Sequence, residues 1–230
     1  MGARGNRNCP EARSQPFELM ETAFNSTCGS MAQSYYESLT TRPNVIDKSR
    51  GWSHYWDWVS KWNPEPKMVC MVRDLRNVLC SFERKYRESR SQPVGPDNPH
   101  EMLGITFDQR CEHWLSTKPL GLALLRLKEG LERKLPILYL KYEDLTDTTK
   151  TQGLLDQWYE HVGMESFSHT FDEVKKEVEE DHRVYGPYGS HEVGSEVKAS
   201  STNWKDTMSP ETSKDLRNVY SWFFDRFEYA

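Results

Sequence analysis

The stretch from Lys67 to Ser81, K-M-V-C-M-V-R-D-L-R-N-V-L-C-S, constrains the fold more than any other part of the chain. Met68 to Val72 is a short apolar run, bulky and β-branched enough to be a buried strand. The run stops at Arg73-Asp74, and Leu75, Val78, Leu79, Phe82 and Tyr86 then recur at the spacing of an amphipathic helix. Arg73 therefore sits where a buried parallel strand ends and a helix begins, the edge at which open α/β sheets bind ligands. A guanidinium there can fork onto phosphate oxygens. Ser81, eight residues further on, brings a hydroxyl from the helix.

Composition sets the outer limits. A chain of 230 residues can bury a full core. After a polar lead-in over residues 1–14, one α/β domain over 15–230 is expected. Eight Trp, eleven Tyr and nine Phe argue against disorder. A net charge of −5 gives no electrostatic case for nucleic acid or an anionic membrane, so an anionic ligand would have to be held by local basic residues. No apolar run reaches membrane-spanning length and no secretory leader is read, so a cytoplasmic setting is expected. Five cysteines without paired spacing fit reduced thiols, and Cys70 and Cys80 read as small buried hydrophobes.

Along the chain, Met20, Phe24, Cys28, Met31, Tyr35 and Leu39 mark a long amphipathic helix over 17–39. Pro43 ends it, and Asn44–Asp47 reads as a short strand leading to Lys48-Ser49-Arg50-Gly51. Residues 52–62 read as an aromatic-rich helix. A proline-bearing loop is expected over 89–99 and helices over 102–133, with Pro119 restarting the pattern. Pro136–Leu140 is a second buried strand. Helices are expected over 154–162 and 167–180, then a Gly- and Tyr-rich loop over 185–194. Ser209-Pro210 opens a last helix whose Leu216, Val219, Tyr220, Phe223 and Phe227 face the core.

Ser81 and Lys85 are four apart and share a helix face. Beside a forked guanidinium they make a site for a dianionic phosphate. Taken singly, Arg73 reads equally as a local ion pair with Asp74, and Lys85 as a solvated lysine. No His/Cys/Asp cluster has metal-ligand spacing. His182 and His191 flank Y-G-P-Y-G and are candidate bases, although neither has an orienting partner at readable spacing.

Four segments carry a family resemblance: V-I-D-K-S-R-G-W (45–52), M-V-R-D-L-R-N-V-L-C-S (71–81), Y-L-K-Y-E-D-L (139–145) and V-K-A-S-S-T-N-W-K-D (197–206). In this order and spacing they resemble the sulfotransferases that use 3′-phosphoadenosine 5′-phosphosulfate, in particular the bacterial and viral branch that is similar to tyrosylprotein sulfotransferases. The resemblance implies a three-layer, P-loop-NTPase-like fold with a short parallel sheet flanked by helices. It implies sulfuryl transfer without a metal to a hydroxyl acceptor, whether small molecule, glycan or peptide. Carried over to this chain, Arg73 and Ser81 would bind the 3′-phosphate, with Lys85 as a third contact and Tyr142 near the adenine or ribose. Lys198, Ser200, Ser201 and Trp204 would belong to a segment closing over the nucleotide. Lys48, twenty-five residues before Arg73, would reach the transferring group. Tyr142 and Trp204 also read as plain core aromatics, and Lys198 as a solvated lysine.

The family normally opens with a strand and a Gly-rich segment, roughly P-R-S/C-G-T/S-T, whose backbone N–H groups cradle the 5′-phosphosulfate. No such segment is read here, and Gly2–Arg7 is not preceded by a strand. The sequence therefore predicts a sulfotransferase-like fold lacking its first strand. The competing reading is a shortened, catalytically impaired nucleotide-binding or interaction remnant. A nucleotide kinase-like protein is disfavoured by the absence of G-x-x-x-x-G-K-[ST].

Overall fold

The computed structural model describes residues 16–49, 51–89, 102–116, 120–175, 194–199 and 203–230. Two compact units divide the chain. The first comprises the described part of Met1–Met68 with Glu129–Leu135, the second that of Val69–Lys128 with Pro136–Ala230.

In the first unit, helix α1 (Phe17–Leu39) begins after Pro16, whose fixed φ suits a helix entry, and ends at the extended Thr40. The expected apolar stripe is only half covered. Met20, Phe24 and Cys28 are half-buried, whereas Met31, Tyr35 and Leu39 are exposed. The reason is a close approach at Gly29, where a Cβ would lie 2.9 Å from Trp62 Cβ. That contact turns the side bearing Gly29, Ala32 and Tyr36 inward. Residues 44–49 form no strand, contrary to the sequence expectation, and Val45 and Ile46 are exposed. Asp47 instead accepts hydrogen bonds from Tyr36 Oη and, at 2.9 Å, Trp52 Nε1, which fixes the segment without sheet pairing. The helix expected over 52–62 is a 3₁₀ turn (Trp52–Tyr55) followed by the single-turn α2 (Trp56–Val59) and a bend.

The second unit is built on two adjacent parallel strands, β1 (Met68–Val72) and β2 (Ile137–Lys141). β2 starts one residue later than expected, since Pro136 has no N–H for a ladder. Neither strand is fully buried, and Met71 is 47% exposed. Helix α3 (Leu75–Ser89) follows β1 and buries Leu75, Leu79 and Tyr86 as its periodicity predicts. Helices α4 (Phe107–Ser116) and α5 (Leu120–Glu132) cross to β2, and Phe82 meets Trp114 edge-to-face to join α3 to α4. Pro119 lies outside the described residues. The short α6 (Tyr142–Leu145) opens directly from β2, and α7 (Thr151–Val162) starts three residues before its expected boundary.

Residues 164–175 are irregular, so the helix expected from Phe167 does not form over its described part. His169 stacks on Tyr159, and the backbone of Phe171 and Val174 bonds to Val197 and Ser195. The last predicted helix is two, α8 (Pro210–Val219) and α9 (Ser221–Arg226), broken at Tyr220. The break leaves Val219 exposed while Leu216, Phe223 and Phe227 stay in the core. Ser209 caps α8 by accepting from Thr212 N at 3.0 Å, with Pro210 in the first turn.

Candidate functional site

The turn after β1 is built from Arg73 and Asp74, and each is placed by a partner on another element. Asp74 N donates to Glu143 Oε1 at 3.0 Å, and Tyr229 Oη donates to Glu143 Oε2 at 2.8 Å. The Glu143 carboxylate thus ties the end of β1, the start of α6 and the C-terminal segment together. Burial and the bond to Glu143 raise the Tyr229 pKa far above its ordinary value, so this phenol stays a donor. Arg73 lays its guanidinium over the Tyr142 ring, with Cζ 4.5 Å from the centroid. Its Nε is buried and has no hydrogen-bond partner in the structure. Trp62 Nε1, Trp114 Nε1 and Tyr139 Oη share that condition, and Arg73 differs from these three in carrying a charge at a strand end, where an anion can supply the acceptor.

Ser81 and Lys85 sit half-buried on α3 at helical spacing. Trp204 begins a 3₁₀ turn (Trp204–Asp206) seated on α3. Its N–H donates to Asn77 Oδ1 at 3.0 Å, and its carbonyl lies 3.9 Å from Cys80 Sγ. Lys198 is exposed and paired with Glu196 at 2.7 Å. Lys48 belongs to the first unit, exposed in the segment fixed through Asp47. Ser200 and Ser201, like His182 and His191, lie outside the described residues, as do the expected loops over 90–99 and 185–193.

Three features escaped the sequence reading. Arg76 is buried, pairs with Asp74 through Nε and Nη2, and donates to the Ala230 carbonyl at 2.6 Å. Glu143 was visible only as part of Y-E-D-L. Glu83 is 1% exposed on the core face of α3, held by Arg110 through Nε and Nη2 and by Arg87. Burial pushes the Glu83 carboxyl up, but the two arginines outweigh it and the net shift is downward.

Three of the described thiols are poor nucleophiles. Burial pushes Cys70 and Cys80 up to about 11, and Cys111 further still. Among the described residues no cluster of His, Cys, Asp and Glu could hold a metal, and no helix is long and apolar enough to cross a membrane.

A strand ending in a guanidinium whose Nε is unanswered, with its turn locked to the next strand's end, is an edge at which an α/β protein can hold an anion. The family model of the sulfotransferase domain matches residues 52–228, and the chain belongs to that family. Lys48 precedes the matched span. No curated protein and no solved structure matches the chain significantly.

Proposed function

We propose that this chain transfers a sulfuryl group from 3′-phosphoadenosine 5′-phosphosulfate to a hydroxyl on a small molecule, glycan or peptide. The observation that carries this reading is the buried, unpartnered Arg73 Nε at the strand end. Leaving such a donor unpaired costs about 1–3 kcal/mol, and a phosphate oxygen would satisfy it with a charge-assisted bond. In this reading Arg73 and Ser81 hold the 3′-phosphate, and Lys85 adds a third contact. Tyr142, against which the guanidinium already lies, flanks the adenine or ribose. Lys198, Ser200, Ser201 and Trp204 belong to the segment that closes on the nucleotide. The donor supplies an activated sulfate. The acceptor oxygen attacks its sulfur in line, so that a new S–O bond forms as the bond to the 5′-phosphate oxygen breaks, and the hydroxyl proton passes to solvent. Lys48 offsets the charge on the transferring group without itself exchanging a proton. A cytoplasmic setting and the branch similar to tyrosylprotein sulfotransferases belong to the same reading. The free thiols of Cys28, Cys70, Cys80 and Cys111 support the first.

Incubation with sulfur-labelled donor and a panel of phenols, sugars and tyrosyl peptides tests the reaction, and label should move to at least one class. Lys48→Ala should lower turnover by about a hundredfold or more while product-nucleotide affinity stays within a few-fold. Absence of transfer to every class would contradict the reaction, and an unchanged turnover number would remove Lys48 from it.

A further inference from the structure

Arg76 is spent differently from Arg73. It is 5% exposed, and its Nε and Nη2 fork onto both oxygens of Asp74 at 2.6–3.2 Å. Nη2 also reaches the Ala230 carbonyl at 2.6 Å. One face of the guanidinium meets the Trp204 ring, with Cζ 4.3 Å from the centroid, and the Phe224 ring lies at 5.1 Å. Asp74 Oδ1 in turn accepts from Arg76 N at 2.9 Å, which fixes the first turn of α3 from within. One planar cation therefore joins the Arg73-Asp74 turn, the Trp204 turn and the end of the chain. A lysine could occupy one of these contacts but not the set.

The next residue of α3, Asn77, takes the Trp204 N–H on its Oδ1 at 3.0 Å, so the Trp204 turn is held through both its ring and its backbone. We propose that Arg76 is a positioning residue. It docks the Trp204 turn onto the first turn of α3 and so fixes residues 203–208 against the same turn that carries Arg73. The turn that carries Arg73 and residues 203–206 are then held as one piece, so that loosening the second weakens nucleotide capture by the first. This inference rests on the nucleotide site proposed above.

The test uses the full chain and hydrogen–deuterium exchange, first without nucleotide. Asn77→Ala, which leaves the buried charges intact, and Arg76→Lys should both speed exchange over residues 203–208. Residues 75–80 should stay protected in both variants, and residues 223–229 in Asn77→Ala, which leaves the Arg76 contacts to Phe224 and Ala230 in place. With 3′-phosphoadenosine 5′-phosphate as probe, both variants should bind about tenfold more weakly. Their preference for this probe over adenosine 5′-phosphate should be unchanged, because Arg73 is untouched. Trp204→Leu should lose as much, and Trp204→Phe, which keeps a ring under the guanidinium, should regain most of it. Combining Arg76→Lys with Trp204→Leu should add little to either alone. Unchanged exchange at 203–208, or exchange rising evenly through the unit, overturns the inference without reference to any nucleotide. Faster local exchange with unaltered affinity overturns its link to binding. Wild-type protein that binds neither nucleotide overturns the proposed function instead, which the exchange data without nucleotide distinguish.

Discussion

Arg73 and Arg76 stand three residues apart in one turn and meet opposite circumstances. Arg76 is held by a carboxylate, a carbonyl and two rings, whereas Arg73 has a ring on one side and an unanswered Nε. The first arrangement is structural, and the second leaves a donor that the proposed phosphate would answer. Glu83 is the acidic counterpart of Arg76. Breaking a buried pair from one side leaves an uncompensated charge, so Arg110→Met should destabilise the protein by about 3–5 kcal/mol, and Glu83→Gln by less. Because the folded-state pKa of Glu83 is depressed, its contribution is present above the ordinary carboxylate pKa and is lost as the pH falls through the folded value. Urea midpoints at about pH 7 and about pH 3 should therefore differ more for wild type than for Glu83→Gln. Equal differences in the two proteins would show that the ion pair contributes nothing.

Two helices end in the same way with different residues. After α7, Gly163 takes φ 75°, with Gly163 N bonded to Glu160 O and Met164 N to Tyr159 O. After α5, Lys134 adopts φ 53° with the matching pair, Lys134 N to Leu131 O and Leu135 N to Gly130 O. A side chain in the left-handed region is strained where glycine is not. Lys134→Gly should accordingly raise stability by about 1 kcal/mol, and Gly163→Ala should lower it by a similar amount. Thermal melts of both variants check this, and a destabilised Lys134→Gly would contradict it.

The same local logic explains what the sequence disclosed at the level of elements. The apolar run 68–72 and the 3.6-residue period after it are written in neighbouring residues, so β1 could be read with its boundaries and α3 from its start at Leu75. Ser209-Pro210 marked the start of α8 for the same reason. Residues 164–175 could not be read that way. Their apolar spacing resembles a helix, yet His169 and Phe171 are held by Tyr159 and by residues 195–197 from outside the segment. Arg76 was invisible for a related reason, as its partners Trp204 and Ala230 lie far along the chain. Likewise the break at Tyr220 and the inward turn of α1 at Gly29 depend on what each helix meets.

At the scale of the molecule, the sulfotransferase domain extends from the aromatic turn at Trp52 almost to the C-terminus, and the candidate anion site lies within it. A net charge of −5 gives no long-range attraction for a nucleotide carrying several phosphates. Recognition must then come from short-range, directional contacts, and the sharpest of these is the proposed bond from Arg73 to a 3′-phosphate. Calorimetric titration of the full chain with 3′-phosphoadenosine 5′-phosphate and with adenosine 5′-phosphate isolates that contact. The account predicts that the 3′-phosphate strengthens binding by more than about tenfold, the equivalent of about 1.5–3 kcal/mol, and that Arg73→Ala abolishes the difference. Equal affinity for the two nucleotides in wild type, or a preference that survives Arg73→Ala, would contradict it.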